Sequence, residues 1–314
     1  MVDLALLGCG GGMPIPERYL SSLLISYKGR KILVDCGEGT QVSMKILGWG
    51  FKSIDVICIT HGHADHVLGL PGILLTIGNS GRTEPITIIG PIGIANIVKG
   101  LRVAAPYLPY ELIIIENPLD SVKIQAFINS TNPPAAEFND LMISTLELEH
   151  STNCLGYSFY FNRKPKFDVE SATKNKIPKQ FWSILQKNEI IIDHDKTYLP
   201  SMVLGKERIG IKISFVTDTR PIPKITNFIM GSDLFICEGT YGNEDDIEKA
   251  IKNKHMTFSE AAELAISGDV QELLLTHFSP AMINPQEYKD RVEGIFKNTT
   301  IGVDRLVKNM SFKD

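Results

Sequence analysis

The feature that most constrains this chain is His61-Gly62-His63-Ala64-Asp65-His66, which follows the apolar run Asp55-Val56-Ile57-Cys58-Ile59-Thr60. Four potential metal ligands stand in six residues, where a buried strand gives way to a glycine turn. His61 and His63 alternate as strand neighbours do, so both imidazoles can face one side. Asp65 and His66 follow on the turn or the first helical residues and can reach a second ion. Imidazole with carboxylate suits zinc best, with manganese or iron where oxygen ligands weigh more. The plainer alternative is a polar turn with solvated histidines. Three His and an Asp at this spacing favour the metal site.

One loop cannot close two metal sites, so further ligands are required. His150, Asp218 and His277 each follow a strand-like run, and strand ends are where open α/β folds place functional groups. If His61, His63 and His150 hold one ion, and Asp65, His66 and His277 a second with Asp218 bridging, each ion keeps an open position. Such a pair activates water for hydrolysis, and its charge suits a phosphodiester. Asp65 is placed to accept the proton of the nucleophile. The leaving oxygen needs a proton donor. His255, with Glu238 as its carboxylate partner, is one option, and a solvated His before a helix is the other. Asp35 reads as a residue that orients ligands by hydrogen bonding.

Elsewhere strands and helices alternate, which argues for a layered α/β fold with helices outside the sheets. Expected elements include a strand pair at 20–27 and 31–35 and a helix capped by Thr40. Further on come a helix over 67–77, strands at 86–89, 112–115 and 122–127, a loop at 129–140, and a helix over 259–266. The glycine cluster at 8–12 is followed by Pro14 and Pro16, which argues against a nucleotide-binding strand-turn-helix and for a loop near the metal site. Five Cys without a CxxC pair read as core residues in a reducing compartment. No apolar run has the length of a membrane span, and a cytoplasmic protein is expected. The net charge of −4 excludes a general polyanion binder.

Residues 162–212 depart from this balance, with eleven Lys or Arg against six acids, a surplus of five that leaves the remainder at −9. A basic insertion on an acidic body suits phosphate contacts, although a solvated surface arm has the same composition. Phe167, Phe181 and Trp182 within it can stack on bases or pin the arm down. His194, between two Asp, reads as a surface residue.

The ordered set His61, His63, Asp65, His66, His150, Asp218 and His277 resembles the metallo-β-lactamase superfamily. More narrowly, the segments Gly10-Gly11-Gly12-Met13-Pro14, Asp35-Cys36-Gly37-Glu38-Gly39-Thr40-Gln41, Gly69-Leu70-Pro71-Gly72, Gly156-Tyr157, Thr217-Asp218-Thr219-Arg220-Pro221, Glu238-Gly239-Thr240-Tyr241 and His255-Met256-Thr257 are similar to the ribonuclease Z family. The resemblance implies a four-layer αββα sandwich over 1–314 with an inserted arm at 162–208. It implies a zinc-dependent endoribonuclease, two zinc ions per subunit with manganese as a substitute, that removes 3′ trailers from precursor tRNA. In that reading Asp65 assists the nucleophile, and His255, supported by Glu238, protonates the leaving 3′ oxygen. The arm grips the tRNA elbow, and the enzyme is a homodimer in which the arm of one subunit presents tRNA to the site of the other. Three segments depart from the family pattern. Pro14-Ile15-Pro16-Glu17-Arg18-Tyr19 lacks its Lys and Asn, Ile177-Pro178-Lys179-Gln180-Phe181 lacks the Gly-Pro tip of the arm, and His277-Phe278-Ser279-Pro280-Ala281-Met282 lacks an Arg-Tyr pair. Altered recognition loops beside intact ligands are also what a small-substrate phosphodiesterase or other metallohydrolase would show. A catalytically silent RNA-binding protein would need none of the nine groups.

Overall fold

The computed structural model describes residues 1–118, 122–123 and 141–313. In chain order its strands are β1 (Val2–Gly8), β2 (Ser22–Tyr27), β3 (Arg30–Val34), β4 (Ile54–Cys58), β5 (Ile86–Gly90), β6 (Leu112–Glu116), β7 (Val122–Lys123), β8 (Leu141–Leu148) and β9 (Cys154–Arg163). There follow β10 (Ile191–Asp193), β11 (Lys196–Tyr198), β12 (Arg208–Val216), β13 (Leu234–Glu238), β14 (Leu273–Thr276), β15 (Thr299–Ile301) and β16 (Leu306–Met310). The helices are α1 (Thr40–Leu47), α2 (Ala64–Val67), α3 (Leu70–Asn79), α4 (Ile94–Leu101), α5 (Val169–Lys174), α6 (Lys179–Gln186), α7 (Pro223–Ile229), α8 (Ile247–Asn253), α9 (Phe258–Ser267) and α10 (Lys289–Ile295).

The chain folds as two compact units, one of residues 1–160 and 211–311, the other of 161–210 and 312–314. The larger unit is built on two sheets, ordered β16-β1-β2-β3-β4-β5-β6 and β15-β14-β13-β12-β9-β8-β7. In strand β4 all five residues are buried, because both faces of its sheet are covered; Ile54, Val56, Ile57 and Cys58 are apolar, and Asp55 is paired with Arg30 and Arg82. On one face Ala5, Leu7, Leu24, Leu33 and Ile57 pack with Met44 of α1, Ile73 and Leu74 of α3 and Val98 of α4. Their strand neighbours Leu4, Leu6, Leu23, Ile25, Ile32 and Val34 point the other way and are buried too. There the second sheet meets the first, and Tyr157 of β9 donates from its hydroxyl to Ile59 O at 2.7 Å and Ile89 O at 3.1 Å. Those carbonyls lie just before the His61 loop and at the end of β5, so this buried hydroxyl fixes where the loop begins. Helix α9 covers β13 and β14, and α7 packs on β8. The result is the expected helix-sheet-sheet-helix sandwich.

In the smaller unit Ala172, Ile177, Leu185 and Val203 form a core of their own. Phe167 and Trp182 meet with ring centroids 5.0 Å apart, Phe181 and Tyr198 at 5.1 Å. These rings pack with one another inside the insertion, a use distinct from the two that the sequence left open. The unit carries α5, α6 and the β10–β11 hairpin. The Asp168 carboxylate accepts the backbone N–H groups of Glu170 and Ser171 and so caps α5.

Several local expectations change. The N-cap of α1 is Gly39, with φ 93°, and Thr40 is the first helical residue. A side chain at Gly39 would also strike the Tyr19 ring, 2.2 Å from an added Cβ. The single helix expected over 67–77 is two helices, α2 and α3. Gly69 lies against the turn after β3, where its N–H donates to Cys36 O at 2.8 Å, and Pro71 restarts the helix in its first turn. Of the strand expected at 122–127, Val122–Lys123 pairs antiparallel with β8. Residues 124–127 and the loop at 129–140 lie outside the described residues. All five Cys are buried free thiols. Among the described residues no helix is long and apolar enough to cross a membrane.

Candidate active site

Strands β3 to β6 run parallel, as do β12 to β15, and the ligand-type side chains collect at their carboxyl ends. His61 follows β4, Asp218 follows β12, Glu238 ends β13 and His277 follows β14. Asp35, Asp218 and His277 all have left-handed backbones, with φ of 56°, 54° and 58°. Non-glycine residues rarely take that conformation, and here it turns each strand end sharply toward one centre. Gly11 leaves room for the same centre: a Cβ there would sit 2.4 Å from the His277 ring.

Asp218 is the hub. Its Oδ1 lies 3.3 Å from His277 Nε2 and 3.9 Å from both His61 Nε2 and His150 Nε2, while its Oδ2 lies 3.3 Å from His66 Nε2. Asp65 Oδ2 lies 3.5 Å from His66 Nε2 and 3.4 Å from His277 Nε2, and accepts the Gly12 N–H at 2.6 Å. His63 Nδ1 stands 3.2 Å from His150 Nε2. The structure thus brings all seven proposed ligands together, in the groups His61-His63-His150, His61-His66-Asp218 and Asp65-His66-His277, each within 4.8 Å.

The far side of each ring fixes its tautomer. Thr60 Oγ1 donates to Asp35 Oδ2 at 2.8 Å and therefore accepts from His61 Nδ1 at 3.1 Å. Asp35 Oδ2 also accepts from His66 Nδ1 at 2.8 Å. Thr240 Oγ1 donates to Glu238 Oε2 at 2.6 Å and accepts from His277 Nδ1 at 3.1 Å, and the Lys254 carbonyl accepts from His150 Nδ1 at 3.3 Å. With each Nδ1 so engaged, the four rings turn their Nε2 atoms toward carboxylate oxygens and toward one another, as at 3.3 Å between His66 and His277. Among the described residues His61 Nε2 is buried without any hydrogen-bond partner. Lone pairs facing at such distances repel unless a cation lies among them, and ligands of one tetrahedral zinc at roughly 2.0–2.1 Å stand about 3.3 Å apart. The donor set therefore fits divalent metal ions. Thr60 and Thr240 are parts of the site that sequence reading passed over; their signal is position, directly before His61 and two residues after Glu238.

Charge tells the same story. Burial opposes ionisation of Asp65 and Asp218, but the surrounding imidazoles outweigh it and hold both carboxyls far below the usual range. Burial and the neighbouring His66 push His61 well down. Burial also opposes charge on His66, yet Asp218 and Asp35 raise it well above its ordinary value, a negative field that a divalent cation would equally satisfy. An Asp35→Ala variant is expected to bind metal about 10–100-fold more weakly while staying folded, as measured by competition with a fluorescent chelator.

His255 stands at the rim. Its Nδ1 lies 3.1 Å from Glu238 Oε2 and 3.8 Å from Asp218 Oδ1. Burial works against the imidazolium, but Glu238 and Asp218 lift its pKa to about 9. Glu238 is wholly buried and fully engaged, accepting from Thr219 N at 2.6 Å and Met256 N at 3.0 Å besides His255. His194 is solvated, its Nδ1 3.0 Å from Asp193 Oδ1.

The departing loops beside the site are tied together. Arg18 is buried, stacks over the Phe278 ring at 5.8 Å, and donates to the carbonyls of Ser279, Met282 and Ile283 at 3.3, 2.8 and 2.8 Å.

The chain is similar to known proteins in sequence and in fold. The chain is 60% identical over 316 residues to a protein of Clostridium beijerinckii named Ribonuclease Z, covering 100% of both chains. It is 58% identical over 312 residues to one of Clostridium novyi with the same name, covering 99% of this chain and 100% of that one. Among solved structures, the short form of human tRNase Z superposes with a TM-score of 0.67 at 22% identity, over 99% of this chain and 100% of that one. The metallo-beta-lactamase fold protein YhfI of Bacillus subtilis gives 0.67 at 17%, over 98% and 100%. The family model described as Anti-Pycsar protein Apyc1 matches residues 2–203. With full-length identity at this level, on a metallo-β-lactamase sandwich, the chain belongs to the ribonuclease Z family and, through residues 2–203, to the family described as Anti-Pycsar protein Apyc1.

Proposed function

We propose that this protein is a metal-dependent endoribonuclease that removes the 3′ trailer of precursor tRNA, and that it works with two zinc ions, manganese substituting. The observation that carries the reading is the convergence of four Nε2 atoms on the two oxygens of Asp218, beside the His255–Glu238 pair. His61, His63 and His150 would hold one ion, Asp65, His66 and His277 the other, and Asp218 both. Bound there, divalent ions supply Lewis-acid activation of water and neutralise charge on the phosphodiester.

The chain's own residues do the rest. Asp65, steadied by the Gly12 N–H, keeps one carboxylate oxygen facing the centre and accepts a proton from the nucleophile. His255 gives its Nδ1–H to Glu238, which leaves Nε2 as the nitrogen that delivers a proton to the leaving 3′ oxygen. Because Glu238 is also held by Thr219, Thr240 and Met256, the His255 ring has one orientation to adopt. Residues 162–208, with their excess of Lys and Arg, serve as the tRNA-gripping arm on a single sandwich domain, and the working form is a homodimer in the cytoplasm, where precursor tRNA is met.

The test uses a precursor tRNA transcript with a 3′ trailer, metal-stripped protein, and zinc or manganese added back. Cleavage restored by metal supports the reading. A chain lacking residues 162–208 should bind the transcript more weakly and with a flatter dependence on salt, while still hydrolysing a nitrophenyl phosphodiester. Full-length protein that hydrolyses the small ester but leaves the transcript intact would instead favour a small-substrate hydrolase.

A further inference from the structure

We propose that Arg220 is a positioning residue for His255, locking the proton donor to the loop that carries Asp218. The proposal rests on the reading of His255 as the general acid. Arg220 stands two residues past Asp218 and spends its guanidinium on two targets. Nη1 donates to Glu260 Oε2 at 3.0 Å, Nη2 pairs with Glu260 Oε1, and Nη1 also donates to the backbone carbonyl of His255 itself. Glu260 is not a free surface acid. Its Oε2 accepts the Thr257 N–H at 2.9 Å, and its own N–H donates to Thr257 Oγ1 at 3.2 Å, the capping box that opens α9.

The segment 255–257 is thus gripped from three directions. His255 N–H donates to Ala250 O at 2.9 Å, Met256 N–H to Glu238 Oε2 at 3.0 Å, and the His255 carbonyl receives Arg220. An ion pair that served only to stabilise α9 would need contact with Glu260 alone. The third contact, on the residue whose ring faces Asp218 Oδ1 at 3.8 Å, couples donor and ligand loop through one side chain. A planar fork can hold a carboxylate at two points while reaching a carbonyl, and a lysine ammonium, a single point charge, cannot.

The experiment compares wild type, Arg220→Met and Arg220→Lys, metal-loaded, on precursor tRNA and on bis(4-nitrophenyl) phosphate, whose leaving group departs without a proton. In Arg220→Met the kcat for the precursor is expected to fall about 10–100-fold with KM little changed, and at least about tenfold further than the nitrophenyl rate. Arg220→Lys should recover part of the loss. In a His255→Ala background Arg220→Met should cost less than about twofold more, as two groups acting as one unit require. In the proton NMR spectrum the His255 ring resonance should shift or broaden in Arg220→Met. Equal losses on both substrates, additivity with His255→Ala, or an unmoved His255 resonance would each overturn the proposal. If wild type leaves the precursor uncut, the substrate reading falls, and the ring resonance still decides the clamp.

Discussion

Replacing His255 by alanine is expected to slow cleavage of a trailer-bearing precursor about 10²–10⁴-fold, the usual worth of a positioned general acid. The same change should slow bis(4-nitrophenyl) phosphate hydrolysis less than about tenfold, since that leaving group needs no proton. Metal content should stay at the wild-type value, because the ring nitrogen nearest the ligands is already committed to Glu238 at 3.1 Å. Single-turnover rates on both substrates, with metal measured by mass spectrometry, make the comparison. A loss of equal size on the two esters would mean that His255 acts through the metal centre.

Asp65→Ala is expected to be the more damaging change and to strike both substrates. Its carboxylate oxygen faces His66 Nε2 at 3.5 Å and His277 Nε2 at 3.4 Å and takes the Gly12 N–H, so it serves as ligand, proton acceptor and anchor for the glycine loop. Loss of a proton acceptor alone reaches about 10⁴-fold, and weakened metal binding adds to it. Rates should fall at least that far on either ester, with metal content reduced. A variant that kept its metal and most of its nitrophenyl hydrolysis would remove Asp65 from the chemistry.

These two residues also show what a chain of letters can carry. The ligand loop was legible because its spacing is local: four donor groups within six residues need only a strand and a turn to become a site. Asp218 and His277 were legible for a related reason, since each follows an apolar run and parallel strands bring such ends together; His150 was legible as a ligand-type residue after a strand-like run, although its strand β8 pairs antiparallel with β7. The left-handed backbone at Asp35, Asp218 and His277 left no such mark, because a positive φ is written into sequence only when glycine supplies it. Thr60 and Thr240 were invisible as tautomer-setting groups for another reason: a hydroxyl's donor role depends on partners far away in the chain, here Asp35 and Glu238. The break between α2 and α3 followed from packing of Gly69 on Cys36, a contact that helical periodicity does not encode. In the insertion, composition identified the charge but not the use of Phe167, Phe181 and Trp182, whose rings close a small core.

The most direct test of the account is to map the ends left by cleavage of precursor tRNA in ¹⁸O-labelled water. Water attack with protonation of the departing 3′ oxygen predicts a single cut, a 3′-hydroxyl on the tRNA body, and a trailer whose 5′-phosphate carries the label. A 2′,3′-cyclic phosphate on the body with an unlabelled trailer would show that the ribose hydroxyl, not water, attacks, and would contradict the roles assigned to Asp65 and His255.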